Sequence, residues 1–492
     1  MYGIGGFDME NVDTKKEVII KDDYAVDEAP PAEARHYKFW DLFMTFIGGN
    51  ANASTWYVGG CLAAMGFMRA LGVTLIANPI VYLFMGSLGY MGYKIGTTSM
   101  GLARVPLGIR GSNLPSVILQ FPYLGWCAVN TYVAAISISY ILNAVWGLPA
   151  YGMPGSNLTM LISILIQSAL TIGAVLIGMS RSVKIFENIS GVLLVALTIV
   201  VTVVVCRTFD IRDIIAWKPA AEATMSVGQG VDNLLGWGLA WITCLAEFTR
   251  YTKKVSTAVV SPMLGAIFSM VWFVLVGVVS TIAVAVSTGI YNPDASDPST
   301  VLTQLGFGWV AVLVLILSNT TTNVVNFFVG MEAVGNITPK TSKRKIAAWL
   351  SVVMVALSIL PLYTGSFIDT FQTFLGVLGA LFAPIGTILM VDFYILRRKE
   401  YDIRFISMKN GPYWYSNGIN WYGMITMLVG AASYFVFSNI SWMKDSLGAT
   451  AYTMIFSGVL YVILYFIGKK TGYYKPIASF IPASKDAPAG RG

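Results

Sequence analysis

Apolar runs of about 20 residues recur along almost the whole chain, each bounded by charges or clusters of turn residues. A run of that length matches the hydrocarbon thickness of a bilayer, where a chain can satisfy its own amides only as a helix or a closed barrel. Uninterrupted apolar length, without strand-like alternation, selects the helix. Twelve runs are legible, at 39–63, 70–93, 115–145, 158–180, 186–206, 229–250, 259–288, 307–333, 345–363, 367–396, 419–440 and 448–468. Composition agrees: charged residues make up 12% of the 492 and apolar ones 56%, where a soluble domain carries about 25% charge. Such a surface has to face lipid. Disorder, a disulfide scaffold and a nucleic-acid binder are excluded together, and Cys61, Cys127, Cys206 and Cys244 form no C-x-x-C pair. The expectation is an all-α polytopic membrane protein with twelve transmembrane helices.

The charges test that count. With the N-terminus placed in the cytoplasm, 27 of the 32 Lys and Arg fall on the cytoplasmic side of an alternating twelve-span topology. Only Arg69, Arg207, Arg212, Lys218 and Lys444 fall outside. That is the bias of the positive-inside rule, and one miscounted span near the middle would scramble it. The net charge of +7 therefore marks a membrane face and implies no acidic partner. A location in the cell membrane (plasma or inner) follows, with both termini cytoplasmic. Residues 1–35 are polar and rich in acids, with no cleavable signal, and read as a disordered tail, as do residues 472–492.

Two spans look broken. The first reads FIGGNANASTWYVGG (Phe46 to Gly60) and the sixth NLLGWGLAWITC (Asn233 to Cys244), with glycines where a lipid-facing helix carries Leu and Val. Interrupted helices at corresponding places in two halves point to a mid-membrane site between inverted repeats. Spans one and six are five apart, an odd number, so a repeat of spans one to five in six to ten is inverted. The boundaries expected are 36–206 for the first repeat, 207–399 for the second, and 400–471 for two further C-terminal helices. The competing reading is that Gly48, Gly49, Gly236 and Gly238 only allow helices to pack closely.

The residues that carry chemistry at this depth are neutral. Span eight contains LSNTTTNVVN, from Leu317 to Asn326, with seven hydroxyl or amide side chains in ten residues. Polar groups at membrane depth are costly unless they line something. Thr321, Thr322, Asn323 and Asn326 span about one and a half turns, and their oxygens, with backbone carbonyls near Gly48 to Ala51, suit a hard cation. A helix–helix hydrogen-bond seam is the alternative. Nine of the thirteen tryptophans sit near span ends or in loops; Trp126, Trp237, Trp241 and Trp272 do not. Trp126 is followed one turn later by Asn130, which places a stacking plane beside a donor and acceptor pair, an arrangement suited to a flat heterocycle. The intramembrane acids lie within a turn or two of an interface, and Glu247, close to Arg250, is the best candidate for proton coupling. The single histidine, His36, precedes the first span.

In these residues the chain resembles the nucleobase-cation-symport-1 transporters. The stretches that carry the likeness are ARVPLGIRGSNLPS before span three, GWCAVNTY within it and LAEFTRY closing span six. Two more follow in the same order, from Phe374 to Asp402 and from Tyr413 to Gly423, and ASTWYVGG in span one looks closest to the cytosine permease branch. The resemblance implies a five-plus-five inverted-repeat (LeuT-like) fold with discontinuous helices one and six. It implies substrate contacts at Trp126 and Asn130, with Trp237 as the second aromatic, Trp241 behind it, and Asn52, Asn323 and Asn326 nearby. It further implies a sodium site from carbonyls of Gly48, Gly49, Asn50 and Ala51 and hydroxyls of Thr321 and Thr322. Two positions depart from the family pattern: Glu247 replaces the Asp of a usual DFTRY, and T-N-V-V-N is one residue shorter than a common T-N-x-x-x-N form.

The function expected is a secondary active symporter that imports a nucleobase or related planar heterocycle of cytosine, purine, uracil, hydantoin or allantoin type. Coupling to sodium or protons proceeds by alternating access, with Na+ as a possible coupling ion and no other cofactor. An amino-acid or amine symporter of the same fold is the alternative; it would not need two mid-membrane indoles. An enzyme is not expected, since neither a nucleophile with a base nor a metal cluster is present.

Overall fold

The computed structural model describes residues 24–480 apart from 119, 178–180, 222–223, 293–295 and 338–340. Among the described residues, helices lie along every predicted run. In chain order they are α1 (Phe39–Asn50), α2 (Ala53–Leu62), α3 (Phe67–Ile95), α4 (Ser99–Leu107), α5 (Asn113–Ile118), α6 (Gln120–Trp146), α7 (Asn157–Ile177) and α8 (Arg181–Thr208). Next come α9 (Ile211–Ala216), α10 (Val227–Leu239), α11 (Leu245–Thr249), α12 (Val255–Thr288), α13 (Pro298–Gln304), α14 (Trp309–Ile337) and α15 (Lys343–Thr364). The chain closes with α16 (Phe367–Met390), α17 (Trp421–Phe437), α18 (Ser441–Ser446) and α19 (Ala449–Lys470). Among the described residues, eight helical segments are long and apolar enough to cross a membrane, and Ala311–Phe327 and Trp421–Phe437 are shorter apolar stretches. The remaining two runs, the first and sixth, are divided into pieces.

Span one breaks because its sequence offers an extended pair and a cap. α1 ends at Asn50, Ala51 and Asn52 are non-helical (φ/ψ −79/71 and −141/165), and Asn52 restarts the helix. Its Oδ1 accepts the Thr55 N–H at 2.9 Å and the Thr55 hydroxyl at 3.2 Å, satisfying donors that a helix start leaves orphaned. Span six breaks by a 3₁₀ turn, Ala240–Thr243, and a non-helical Cys244 before α11. The glycines of that span sit earlier than the break, inside α10. A methyl group on Gly236 would meet the Leu375 carbonyl of α16, and one on Gly238 would meet Val81 of α3. Those two glycines therefore serve close packing, and the interruption itself falls at Ala240–Cys244.

Packing sorts the helices into two groups. α12 lies against α1, α2 and α3, and α10 against α3; α14 lies against α6, α7 and α8, with α15 on α6 and α7. Spans one, two, six and seven thus form one bundle and three, four, five, eight and nine a second set, while α16 bridges to α17 and α19. α2 and α12 touch backbone to backbone, since a Cβ on Gly59 or Gly277 would strike a main-chain carbonyl of the other helix. Facing outward are apolar stripes at helical spacing, such as Ile76, Ile80 and Leu83 of α3, or Ile455, Val459, Ile463 and Phe466 of α19, the surface offered to lipid.

At the predicted cytoplasmic end, part of the predicted N-terminal tail is tied down. The buried Arg250 guanidinium donates to the carbonyls of Tyr24, Ala25 and Glu28 at 3.0–3.2 Å, and Arg35 donates to those of Pro30, Tyr93 and Thr252. Residues 1–23 and 481–492 lie outside the described residues.

Candidate functional site

The two breaks face each other across a cavity of about 90 Å³ lined by Gly49, Asn52, Trp126, Asn130, Trp237, Trp241, Thr322 and Asn326, with Tyr123, Ala240 and Cys244. Eight of the thirteen residues proposed for ring and sodium contacts therefore meet in one place. Trp126 comes from α6 and Trp237 from α10, with ring centroids 4.4 Å apart at 63°, while Phe374 packs edge-on against Trp126 at 4.9 Å. The indoles touch. A ring sandwiched between two parallel planes needs them about 7 Å apart, so this state is closed over the platform. Asn130 lies one turn along and is buried; its Oδ1 accepts the Ser54 hydroxyl of α2 at 2.5 Å, so the broken first span orients that amide.

The polar cluster of span eight divides its side chains among several neighbours. Thr320 accepts the Gln167 amide of α7 at 2.9 Å, Thr321 pairs with Ser190 of α8 at 2.8 Å, and Asn323 donates to the Cys127 carbonyl and Thr131 hydroxyl of α6 at 3.1 and 3.0 Å. These three form a helix–helix seam. Thr322 and Asn326 face the cavity. Of the two hydroxyls proposed for a cation, the structure thus brings Thr322 to the cavity and turns Thr321 toward α8. Three of the four span-one carbonyls already accept a bond within the break: Gly48 from Ala51 N–H, Gly49 from Asn52 Nδ2–H and Asn50 from Asn52 N–H. A carbonyl oxygen keeps a second lone pair, so a coordinating position remains on each. No group of three or more His, Cys, Asp or Glu is assembled among the described residues.

Glu247 lies outside the cavity. Its carboxylate accepts the N–H and hydroxyl of Ser99 at 3.2 and 2.7 Å, which fastens α11 to the start of α4. Trp56, counted from sequence with the interfacial tryptophans, is fully buried in α2 and donates to Ser280 at 3.1 Å. Trp272, set apart as mid-span, donates to Thr198 of α8 at 3.0 Å.

The sequence did not single out the Asn50 side chain or Ser54. Asn50 is fully buried, and its Oδ1 accepts the indole N–H of both Trp237 and Trp241. A signal was present: an amide buried at membrane depth needs partners, and a Gly-rich break is where side chains from other helices can approach it.

At the predicted outer end, a cavity of about 750 Å³ is lined by Tyr132, Tyr140, Tyr151, Thr281 and Gln304, among others. Stacked rings border it: Tyr132 on Phe367 at 4.3 Å, and Phe367 on Tyr57 at 5.3 Å.

Two discontinuous helices from separate halves, meeting at a small aromatic and amide-lined cavity inside an all-helical bundle, define an integral, multi-pass membrane transporter of the five-plus-five inverted-repeat fold. A family model described as "permease for cytosine/purines, uracil, thiamine, allantoin" matches residues 30–468, and the chain belongs to that family. It is a permease and not an enzyme. Over 474 residues it is 24% identical to a putative purine-cytosine permease, YxlA, of Bacillus subtilis (strain 168), covering 91% of this chain and 97% of the relative. The allantoin permease of the same organism is 23% identical over 422 residues, covering 81% and 84%. Among solved structures, inward-facing Mhp1 superposes with a TM-score of 0.72 at 16% identity, covering 91% of this chain and 94% of that one. The fold is thereby shared.

Proposed function

We propose that the chain is a secondary active symporter that imports a nucleobase or related planar heterocycle of cytosine, purine, uracil, hydantoin or allantoin type, coupled to sodium or protons. The observation that carries this reading is the pairing of Trp126 and Asn130 on one face of α6 with the span-six indoles Trp237 and Trp241 across a shared cavity. A flat ring stacks on the Trp126 indole once the Trp126–Trp237 contact opens, and Asn130 reads its amide-like edge. Thr322 and the span-one carbonyls supply neutral oxygens for a coupling cation carried with the ring. Repeats at 36–206 and 207–399, helices at 400–471 and cytoplasmic termini complete the arrangement, supported by the placement of 27 of 32 basic residues.

Transport then follows from access. The ring enters from the outer cavity past Tyr57, Phe367 and Tyr132, binds with the cation, and is released inward when the bundle of spans one, two, six and seven rocks against the second set. Titration of the purified protein with cytosine, uracil, hypoxanthine, hydantoin and allantoin, followed by tryptophan fluorescence, is expected to give saturable quenching by at least one. Quenching by amino acids alone would refute the reading.

A further inference from the structure

Two indoles of span six, Trp237 near the end of α10 and Trp241 in the break that follows it, hang from one oxygen of span one. Asn50 closes α1, and its Oδ1 accepts the Trp237 indole N–H at 3.0 Å and the Trp241 indole N–H at 3.3 Å. Its Nδ2 is shared among the Tyr82 hydroxyl of α3 at 3.4 Å and the Ser269 hydroxyl and Ala266 carbonyl of α12 at 3.4 and 3.5 Å. An indole nitrogen only donates, and an amide oxygen has two lone pairs, so a single Asn satisfies both rings. The same residue's main-chain carbonyl accepts the Asn52 N–H at 2.9 Å, inside the turn whose carbonyls face the break. The oxygen that holds the indoles and the turn of span one thus meet at one residue.

We propose that Asn50 is the positioning residue through which cation and ring sense each other. The inference rests on the function proposed above and deepens it. When a cation draws the carbonyls at the end of α1 toward it, the oxygen that orients both indoles moves with them. The rings are then presented at the angle a flat substrate needs. Without the Asn50 amide, the cation oxygens and the aromatic platform both persist, but the connection between them is lost. Because such coupling is reciprocal, it is read equally well from either ligand.

The test uses the full chain with 15N-indole tryptophan. The probe is whichever of cytosine, uracil, hypoxanthine, hydantoin or allantoin quenches the wild type, titrated with and without sodium at fixed pH and across pH at fixed sodium. In the wild type the coupling cation is expected to tighten binding by a factor in the usual range of roughly 5 to 150. Asn50→Ala should shift the Nε1–H resonances of Trp237 and Trp241 together and bring that factor to within about twofold of unity. Asn50→Asp keeps an acceptor oxygen and should recover most of it. A residue that only supported packing would lower affinity with and without cation alike, leaving the factor unchanged, and that result would overturn the proposal. If Asn50→Ala fails to fold, Trp237→Phe with Trp241→Phe removes the two donors while keeping aromatic rings; retention of the full cation factor in that pair also overturns it. Should no probe bind the wild type, the proposed function fails, and unmoved Nε1–H resonances in Asn50→Ala would separately refute the role of Asn50.

Discussion

Trp126 and Trp309 differ in what their indoles do. Trp126 lines the central cavity in contact with Trp237 and Phe374, whereas Trp309 starts α14 half-exposed, where an amphipathic ring suits the interface. Trp126→Ala is expected to weaken heterocycle binding at least about tenfold, about 1.4 kcal/mol, and Trp309→Ala to leave it within about twofold. Equal losses by fluorescence titration would displace the site. Asp297 makes a second, independent prediction. It caps α13, where its Oδ1 accepts the N–H groups of Ser299 and Thr300 at 2.9 and 3.0 Å. Burial pushes its carboxyl up to about 6, partly offset by those bonds. Its folded value lies above the ordinary aspartate value of 3.8, so between about pH 4 and 6 the native state holds a proton that the unfolded chain has released. Stability therefore falls as pH rises through that window, and the penalty of ionisation, up to about 3 kcal/mol, is in place above it. Asp297→Asn keeps the capping oxygen and should flatten this dependence, raising Tm near pH 7.5 relative to wild type. An unchanged Tm there would contradict the assignment.

The elements are held at their breaks by side chains. Asn52 supplies the cap of α2 and also bonds the Gly49 carbonyl, so Asn52→Ala is expected to cost about 1 kcal/mol or somewhat more. Asn52→Asp, which keeps the accepting oxygen, should retain most of it in thermal unfolding. Helix type and span positions were legible because apolar length is a one-dimensional property, readable without knowing any neighbour. The meeting of Trp126, Asn130 and the span-six indoles was legible because each stands out at membrane depth. What Thr321 and Asn323 do was not: adjacent residues on a helix point about 100° apart, and which direction faces the cavity depends on where α6, α7 and α8 stand. The span-six break was displaced from its glycines for a similar reason, since whether a glycine bends a helix or admits a neighbour depends on the helix opposite. Asn50 was read for its carbonyl, and its side-chain partners come from α3, α10 and α12 and the span-six turn, far apart in sequence.

On the scale of the whole molecule, two helix groups enclose a small central cavity in which the Trp126 and Trp237 indoles touch, and stacked rings border a larger cavity at the predicted outer end. The basic residues predict an orientation: Lys444→Cys should react with a membrane-impermeant maleimide on intact cells, and Lys409→Cys only after permeabilisation, in a background lacking the exposed Cys206. The reverse pattern would invert the proposed topology. The central claim, carriage of a planar heterocycle driven by a cation gradient, is tested most directly by uptake of radiolabelled cytosine, uracil, hypoxanthine, hydantoin and allantoin into proteoliposomes under separately imposed sodium and proton gradients. At least one should accumulate under one of the gradients, stop when it is collapsed, and fail to accumulate with Trp126→Ala; no accumulation of any of them under either gradient would contradict the account.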